Sequence, residues 1–207
     1  MFNYSSPRKN VFYSQGIKYC VRPYYNRVLA FLKACDDKDL SIRNLCAIAG
    51  RLFLRPLGRF RLKHLSMEDC EKWLTDFIMQ VIQTGKNADE NCGKENETEQ
   101  IFDFWVDAEY VYAAFYQAYR IDLHKSVNHM FWGDFIALLS GLPKDTRLSD
   151  IMDIRGRPIP ERTDYNSEEI RRLEEAKDFF ALHKHKKVSY KQGLGKLFGE
   201  LKAWAES

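Results

Sequence analysis

Three acidic residues, Asp103, Asp107 and Glu109, lie within seven positions of one another in the second half of the chain. Paired carboxylates are the side chains that general acid–base catalysis requires, because one gives a proton while the other takes one. The alternative is that these acids lie at the start of a helix, where their negative charge interacts favourably with the helix dipole. The second interpretation is favoured.

Histidines are the next candidates for chemistry. His124 and His129 are five residues apart, so they do not share a helix face as an i, i+4 pair of metal ligands would. His183 and His185 point to different sides of any helix. We therefore expect surface or capping histidines and no metal site.

Cys70 and Ser140 are the nucleophile candidates, but nothing nearby in the sequence supplies a base for either. No glycine-rich phosphate loop occurs, so no cofactor is expected. The five cysteines are odd in number and irregularly spaced, which favours free and mostly buried thiols over disulfides. Together these patterns predict a protein that is not an enzyme.

One charge pattern is unusual. No acid occurs between Asp39 and Glu68, whereas six cations do: Arg43, Arg51, Arg55, Arg59, Arg61 and Lys63. Basic residues interleaved with Leu and Phe suit phosphate binding. The alternative is an interface or a solvated face, and the formal net charge of +3 for the whole chain favours it over nucleic acid.

Hydrophobic periodicity predicts a mainly α-helical, multi-helical fold with a small N-terminal β-hairpin. β-Favouring residues on both sides of Gly16 predict two strands joined by a tight turn within positions 11–21. Helical spacing follows from Tyr25 and again over 42–49, before Pro56 and Gly58 interrupt it. Ser66 is then the predicted N-cap of a helix whose apolar stripe ends at Val81.

Four more helices are predicted in the second half. Their expected starts are near Asp107, near Met130, at Asp145 or Thr146, and at Asn166. For the last of them, Asn166 is the predicted cap, and Tyr165 and Ile170 are placed to form a hydrophobic staple.

Composition divides the chain into two helical halves joined by a polar linker. Residues 86–100 hold two lysines, five acids and almost nothing apolar. The predicted organisation is an N-terminal hairpin or arm at 1–22, a helical region at 23–84, an acidic linker at 85–100, an aromatic-rich helical core at 101–183, and a basic break with an amphipathic helix at 184–207.

Two groups of apolar residues are candidate partner-binding positions. Trp132 and Phe135 lie in the aromatic-rich core and are interpreted either as core residues or as the lining of a groove. The second group lies on one face of the C-terminal helix: Leu194, Leu197, Phe198, Leu201 and Trp204. Glycines weaken that helix, so we expect it to dock on a partner or on its own domain.

The second half resembles a bacteriophage family named for gene product fifteen of a temperate phage of Gram-positive bacteria. The motifs are Ala-Glu-Tyr-Val-Tyr-Ala-Ala-Phe over 108–115, Tyr-Arg-Ile-Asp-Leu over 119–123, a Trp-to-Thr segment over 132–146, and Ile-Met-Asp-Ile-Arg over 151–155. Arg120 stands where glycine is common in the family. Their order, rather than any one motif, makes the resemblance specific.

The resemblance implies a function in tail morphogenesis. Genes of this family lie near the tape-measure gene, and products from that position are commonly tail assembly chaperones. We therefore expect a non-enzymatic chaperone that binds the tape-measure protein or another tail protein, with self-association open as a further partnership. The alternatives are a structural tail or connector component kept in the virion and, less favoured, a nucleic-acid-binding phage protein.

The expected location follows from what the sequence lacks. The N-terminus has no apolar signal region, and no apolar run approaches the ~20 residues that span a bilayer. We therefore expect the host cytoplasm, or the virion tail under the structural alternative, and no membrane partner.

Overall fold

A computed structural model describes residues 10–83, 101–163 and 165–182. Within them the fold is mainly helical with a two-stranded antiparallel hairpin at the N-terminal side, which confirms the predicted fold class. In chain order the elements are β1 (Val11–Ser14), β2 (Ile17–Cys20), α1 (Tyr25–Cys35), α2 (Ile42–Phe53), α3 (Pro56–Lys63), α4 (Met67–Phe77), a π-helical turn (Ile78–Ile82), α5 (Ala108–Tyr119), α6 (Trp132–Ser140), α7 (Arg147–Gly156) and α8 (Ser167–Phe179).

The described residues fall into two compact units. The first contains residues 10–83 and 127–136, and the second contains residues 101–126 and 137–182. Both units are therefore discontinuous in sequence, and α6 begins in the first and ends in the second.

The hairpin of the first unit is closed by a two-residue turn. Gln15 and Gly16 both have positive φ, 51° and 75°, which is the backbone that a type I′ hairpin turn requires. The outer edge of β1 is occupied by a side chain instead of a third strand: the amide of Gln80 accepts from the Tyr13 N–H at 3.1 Å and donates to the Tyr13 carbonyl at 2.7 Å.

The core of the first unit is aromatic and centred on Phe77. This ring is fully buried and has four aromatic neighbours at centroid distances of 4.6–5.7 Å: Phe12, Phe31, Phe53 and Trp73. Such pairs add favourable ring–ring interactions to the free energy of apolar burial. The hairpin and helices α1, α2 and α4 each contribute one or more of these rings, so the cluster holds the elements of this unit together.

The second unit packs α5, α7 and α8 around a smaller apolar core. Its most buried apolar side chains include Phe115 on α5, Leu148 and Ile151 on α7, and Ile170 on α8. Thr146 caps α7 as predicted, accepting a hydrogen bond from the Ser149 N–H.

Three local features differ from the sequence expectations or explain a departure from the family pattern. Pro56 does not only interrupt α2; it occupies the first turn of α3, where a missing N–H costs nothing. Asn166 is the N-cap residue of α8, as predicted, but its side chain accepts from the Thr163 N–H and donates to the Glu161 carbonyl and makes no bond to the helix. The predicted staple is wrong, because Tyr165 is fully exposed. Arg120 ends α5 with a φ of 56°, the left-handed conformation that glycine adopts without strain.

Four cysteines lie in the described part of the chain, and all four are free thiols in the first unit: Cys20, Cys35, Cys46 and Cys70. Burial, with Asp36 as a second cause, raises the pKa of the Cys35 thiol to about 12. Burial, with the neighbouring Cys70 as a second cause, also raises the pKa of Cys46. None of the described helices is long and apolar enough to cross a membrane.

Candidate functional site

The six cations of the basic segment, residues 43–63, are all exposed. Arg43 and Arg51 lie on α2, Arg55 precedes α3, and the other three lie on α3. No ion pair joins any of the six to a carboxylate within the described ranges. The segment therefore presents uncompensated positive charge on the first unit.

Two of these cations have hydrogen-bonding roles inside the fold. Arg59 donates to the carbonyls of Leu54 and Arg51, at 3.0 and 2.9 Å, and so satisfies acceptors at the C-terminal end of α2. Arg43 donates to the Leu65 carbonyl at 3.4 Å. The remaining four, Arg51, Arg55, Arg61 and Lys63, extend from the surface without a side-chain hydrogen bond to a described residue.

Helix α3 is attached to α2 along one side. Its one buried residue is Leu62, and a Cβ added to Gly50 of α2 would lie only 2.7 Å from the Leu62 Cδ1 atom. Glycine at position 50 therefore allows this close approach. A Cβ added to Gly58 would lie 3.3 Å from the side chain of Leu54, a tight but less severe contact.

The other side of α3 exposes large apolar side chains. Leu57 is 75% exposed and Phe60 is 62% exposed. The Phe60 ring contacts the His64 ring edge-on, with 4.8 Å between centroids. The sequence shows Leu and Phe interleaved among the cations of this segment, and the prediction made from them is a charge pattern, not a helix face. The i, i+3 spacing of Leu57 and Phe60 after Pro56 is the signal that indicates such a face.

Trp132 and Phe135, the candidates for a groove, are buried in the first unit, at 3% and 1% exposure. The Trp132 Nε1–H donates to the Ile82 carbonyl at 3.0 Å, and the Phe135 ring stacks on Tyr25 with 4.9 Å between centroids. These contacts agree with the core interpretation of the pair.

Asp107, a candidate acid–base residue, forms a buried ion pair in the second unit. Arg155 donates to both of its carboxylate oxygens, at 2.7 and 2.9 Å, and the two side chains are 0% and 7% exposed. The same guanidinium donates to the carbonyls of Ile101 and Phe180, and the Asp107 carboxylate also accepts from the Asp103 N–H. These hydrogen bonds connect α7 to the start of α5 and to the end of α8.

The other candidate acids have local roles. Asp103 accepts from the backbone N–H groups of Trp105 and Val106, which orders the turn before α5. Glu109 is exposed in the first turn of α5, as the helix-charge interpretation predicts.

The two candidate histidines in the described part of the chain contact different residues. The His124 ring packs against Tyr112, and His129 Nδ1 lies 2.8 Å from the Val127 carbonyl. Among the described residues no group of three or more His, Cys, Asp and Glu side chains is arranged to hold a metal ion. Cys70 is buried, and Ser140 is exposed at the end of α6.

Several predicted positions lie outside the described residues. They are His183 and His185, the linker at 85–100, Cys92, and the C-terminal candidates Leu194, Leu197, Phe198, Leu201 and Trp204.

Comparison with known proteins places the chain beside one described family. A family model described as Bacteriophage Gp15 protein matches residues 10–182, which is most of the chain. No curated protein matches the sequence. No solved structure matches it either.

Proposed function

The chain belongs to the bacteriophage Gp15 family, and we propose that it acts there as a tail assembly chaperone. Membership makes it a bacteriophage protein of the structural or morphogenetic kind. In the proposed role it binds the long, apolar, helical tape-measure protein in the host cytoplasm before the tail tube polymerises around that protein. It binds and releases its partner and performs no chemical step.

One observation carries this proposal: helices in both units expose large apolar side chains. Leu57 and Phe60 do so on α3, Tyr116 is 49% exposed on α5, and Phe179 is 79% exposed on α8. Exposed apolar side chains on helices provide the contacts through which an amphipathic partner helix is held.

Three of the candidate catalytic groups are engaged in the fold, which supports a binding role. Asp107 is fully occupied by Arg155, Asp103 orders a turn, and Cys70 is buried beside Cys46. A general acid or a nucleophile must instead reach its substrate.

Co-expression with the tape-measure protein of the same genome tests the proposal. We expect the tape-measure protein to become more soluble and to co-purify with this chain. Mass spectrometry of purified virions should find this chain absent or scarce. Failure to co-purify would refute the chaperone role, and an abundant, fixed number of copies per particle would identify a structural tail or connector component.

Two further experiments test the C-terminal candidate residues and the basic segment. Removing residues 188–207 should weaken co-purification or self-association and leave the melting temperature nearly unchanged; a large fall in melting temperature would place those residues in the core. A gel shift with random duplex DNA should show no complex at physiological salt. A salt-dependent shift would favour the nucleic-acid alternative.

A further inference from the structure

Helix α3 has two chemically different sides. One side of the helix contacts α2 and the residues that follow α2. At 100° per residue this side carries Gly58, Arg59 and Leu62. Leu62 is buried there, and Arg59 donates hydrogen bonds to the Leu54 and Arg51 carbonyls. This side fixes the helix on the first unit, so the opposite side is held in a constant orientation.

The opposite side carries Leu57, Phe60, Arg61 and His64, which follow one another at i, i+3, i+4 and i+7. All four are exposed, and the two apolar side chains keep 75% and 62% of their surface in solvent. This set of four, with Lys63 beside it, is called the α3 face below. It has the spacing by which one helix packs its side chains against another.

The charge carried by α3 and by the residues next to it in sequence has one sign. Arg61 lies within it, Lys63 lies beside it, and Arg55 precedes the helix, while no acid occurs in the sequence between Asp39 and Glu68. A partner that covers Leu57 and Phe60 must therefore bring apolar side chains at its centre and negative charge at its edges. We propose that the α3 face is a docking surface for an amphipathic protein helix flanked by Asp and Glu.

Nucleic acid fits the same surface less well. Phosphate groups gain nothing from Leu57, and Arg59 and Arg43 already donate to backbone carbonyls. The sequence pI of about 8.5 is also below the value of about 9 that is typical of nucleic-acid-binding domains. An apolar pair with a cationic border is the pattern of a protein interface, where the centre is apolar and the rim is charged.

The inference rests on the proposed function for the identity of the partner, since under that function the acidic helix belongs to the tape-measure protein. The kind of partner that the α3 face can bind, an amphipathic helix with acidic flanks, does not depend on that identity. Two probes therefore separate the two proposals: the tape-measure protein itself, and a synthetic amphipathic helix with Leu at i, i+3, i+4 and i+7 and Glu at its flanks.

The peptide experiment uses the full chain and fluorescence anisotropy. We expect the Glu-flanked peptide to bind, and the Leu57→Ser/Phe60→Ser variant to bind it at least about tenfold more weakly, because two central apolar contacts are lost. Arg61→Gln/Lys63→Gln should weaken binding and flatten its salt dependence. The matched controls are Tyr165→Ser and Lys144→Gln/Arg162→Gln, which change exposed residues of the second unit that the proposed binding does not use, and they should leave binding unchanged.

Peptide charge gives a test that needs no variant. The same peptide with Lys in place of Glu should bind the natural chain at least about tenfold more weakly. Equal binding of both peptides, or unchanged binding by Leu57→Ser/Phe60→Ser, would overturn the proposed α3 surface. A random DNA duplex that binds, and loses binding only in Arg61→Gln/Lys63→Gln, would overturn it in favour of phosphate.

Co-purification then separates the two proposals. Tape-measure protein that binds the natural chain and the α3 variants equally well would refute the tape-measure helix as the occupant of the α3 face and leave the chaperone role standing. Peptide binding at the α3 face without tape-measure binding would refute the chaperone role and keep the surface.

Discussion

The two compact units are stabilised by different kinds of interaction. The first has a cluster of buried rings in which Phe77 contacts four aromatic neighbours. The second has the Asp107–Arg155 pair at the junction of its helices, with each charged atom hydrogen-bonded. An apolar cluster loses stability gradually as volume is removed, whereas a buried ion pair depends on both partners being present.

The largest effect is expected in the second unit. Asp107→Ala should lower the free energy of unfolding by about 3–5 kcal/mol, because the Arg155 charge stays buried without its partner. Urea unfolding measures the total loss, and peptide-resolved hydrogen exchange shows in which unit it occurs. Replacing both residues, Asp107→Leu with Arg155→Leu, should recover part of that loss. If the double variant is less stable than Asp107→Ala alone, an unpaired charge is not the cause.

The first unit should tolerate a conservative change at the centre of its cluster. Phe77→Leu should cost about 1.5 kcal/mol, since Leu refills much of the volume and leaves no polar atom unpaired. The same urea titration measures it, and Phe179→Leu, at an exposed ring, is the control with no expected change. If Phe77→Leu lowered the free energy of unfolding as much as Asp107→Ala does, the two units would not differ in their tolerance of substitution.

Alkaline pH should weaken the first unit selectively. The pKa of Cys35 is raised from its ordinary value of 9.0 to about 12 in the folded chain, so its contribution to stability is complete below pH 9 and is lost as the pH rises towards 12. At pH 10 the expected loss is about 1 kcal/mol. Hydrogen exchange at pH 8 and pH 10, corrected for the intrinsic exchange rate, measures this loss of stability. The rate of Cys35 alkylation measures it independently. Equal weakening of the second unit would contradict the expectation.

The smallest effect is a gain of stability in the second unit. Arg120→Gly should stabilise it by about 0.5–1 kcal/mol, because the left-handed backbone at position 120 strains any residue with a Cβ. Thermal unfolding measures the gain, and Arg157→Gly, at a residue with ordinary negative φ, should not stabilise. A fall in melting temperature for Arg120→Gly would mean that the arginine side chain contributes more than its backbone costs.

Local patterns in the sequence predicted the elements whose signals are contained in a few neighbouring residues. The turn at Gly16, the Ser66 cap, whose hydroxyl accepts from the Asp69 N–H, and the Thr146 cap are of this kind. Helix α3 was not predicted, because Pro56 and Gly58 are read as breakers, and only the structure shows that the proline begins a new helix.

Contacts between distant residues could not be predicted in this way. Asp107 and Arg155 are 48 positions apart, and their pairing requires α5 and α7 to be placed first. The exposure of Leu57 and Phe60 is equally a tertiary result, since the apolar spacing of a helix does not say which face is covered. The sequence therefore shows the charge of the candidate surface and the spacing of its apolar residues, but not that Leu57 and Phe60 lie exposed.

The discontinuity of the first unit sets an order of events during synthesis. Trp132, which donates to the Ile82 carbonyl, leaves the ribosome 50 residues after its partner. At about 5–20 residues per second the earlier part of the unit waits roughly 3–10 s for this segment. During that interval neither Trp132 nor Phe135 is available to fill its site beside Ile82 or Tyr25. The described part of the first unit is therefore completed only after all of α5 and the first part of α6 have been translated.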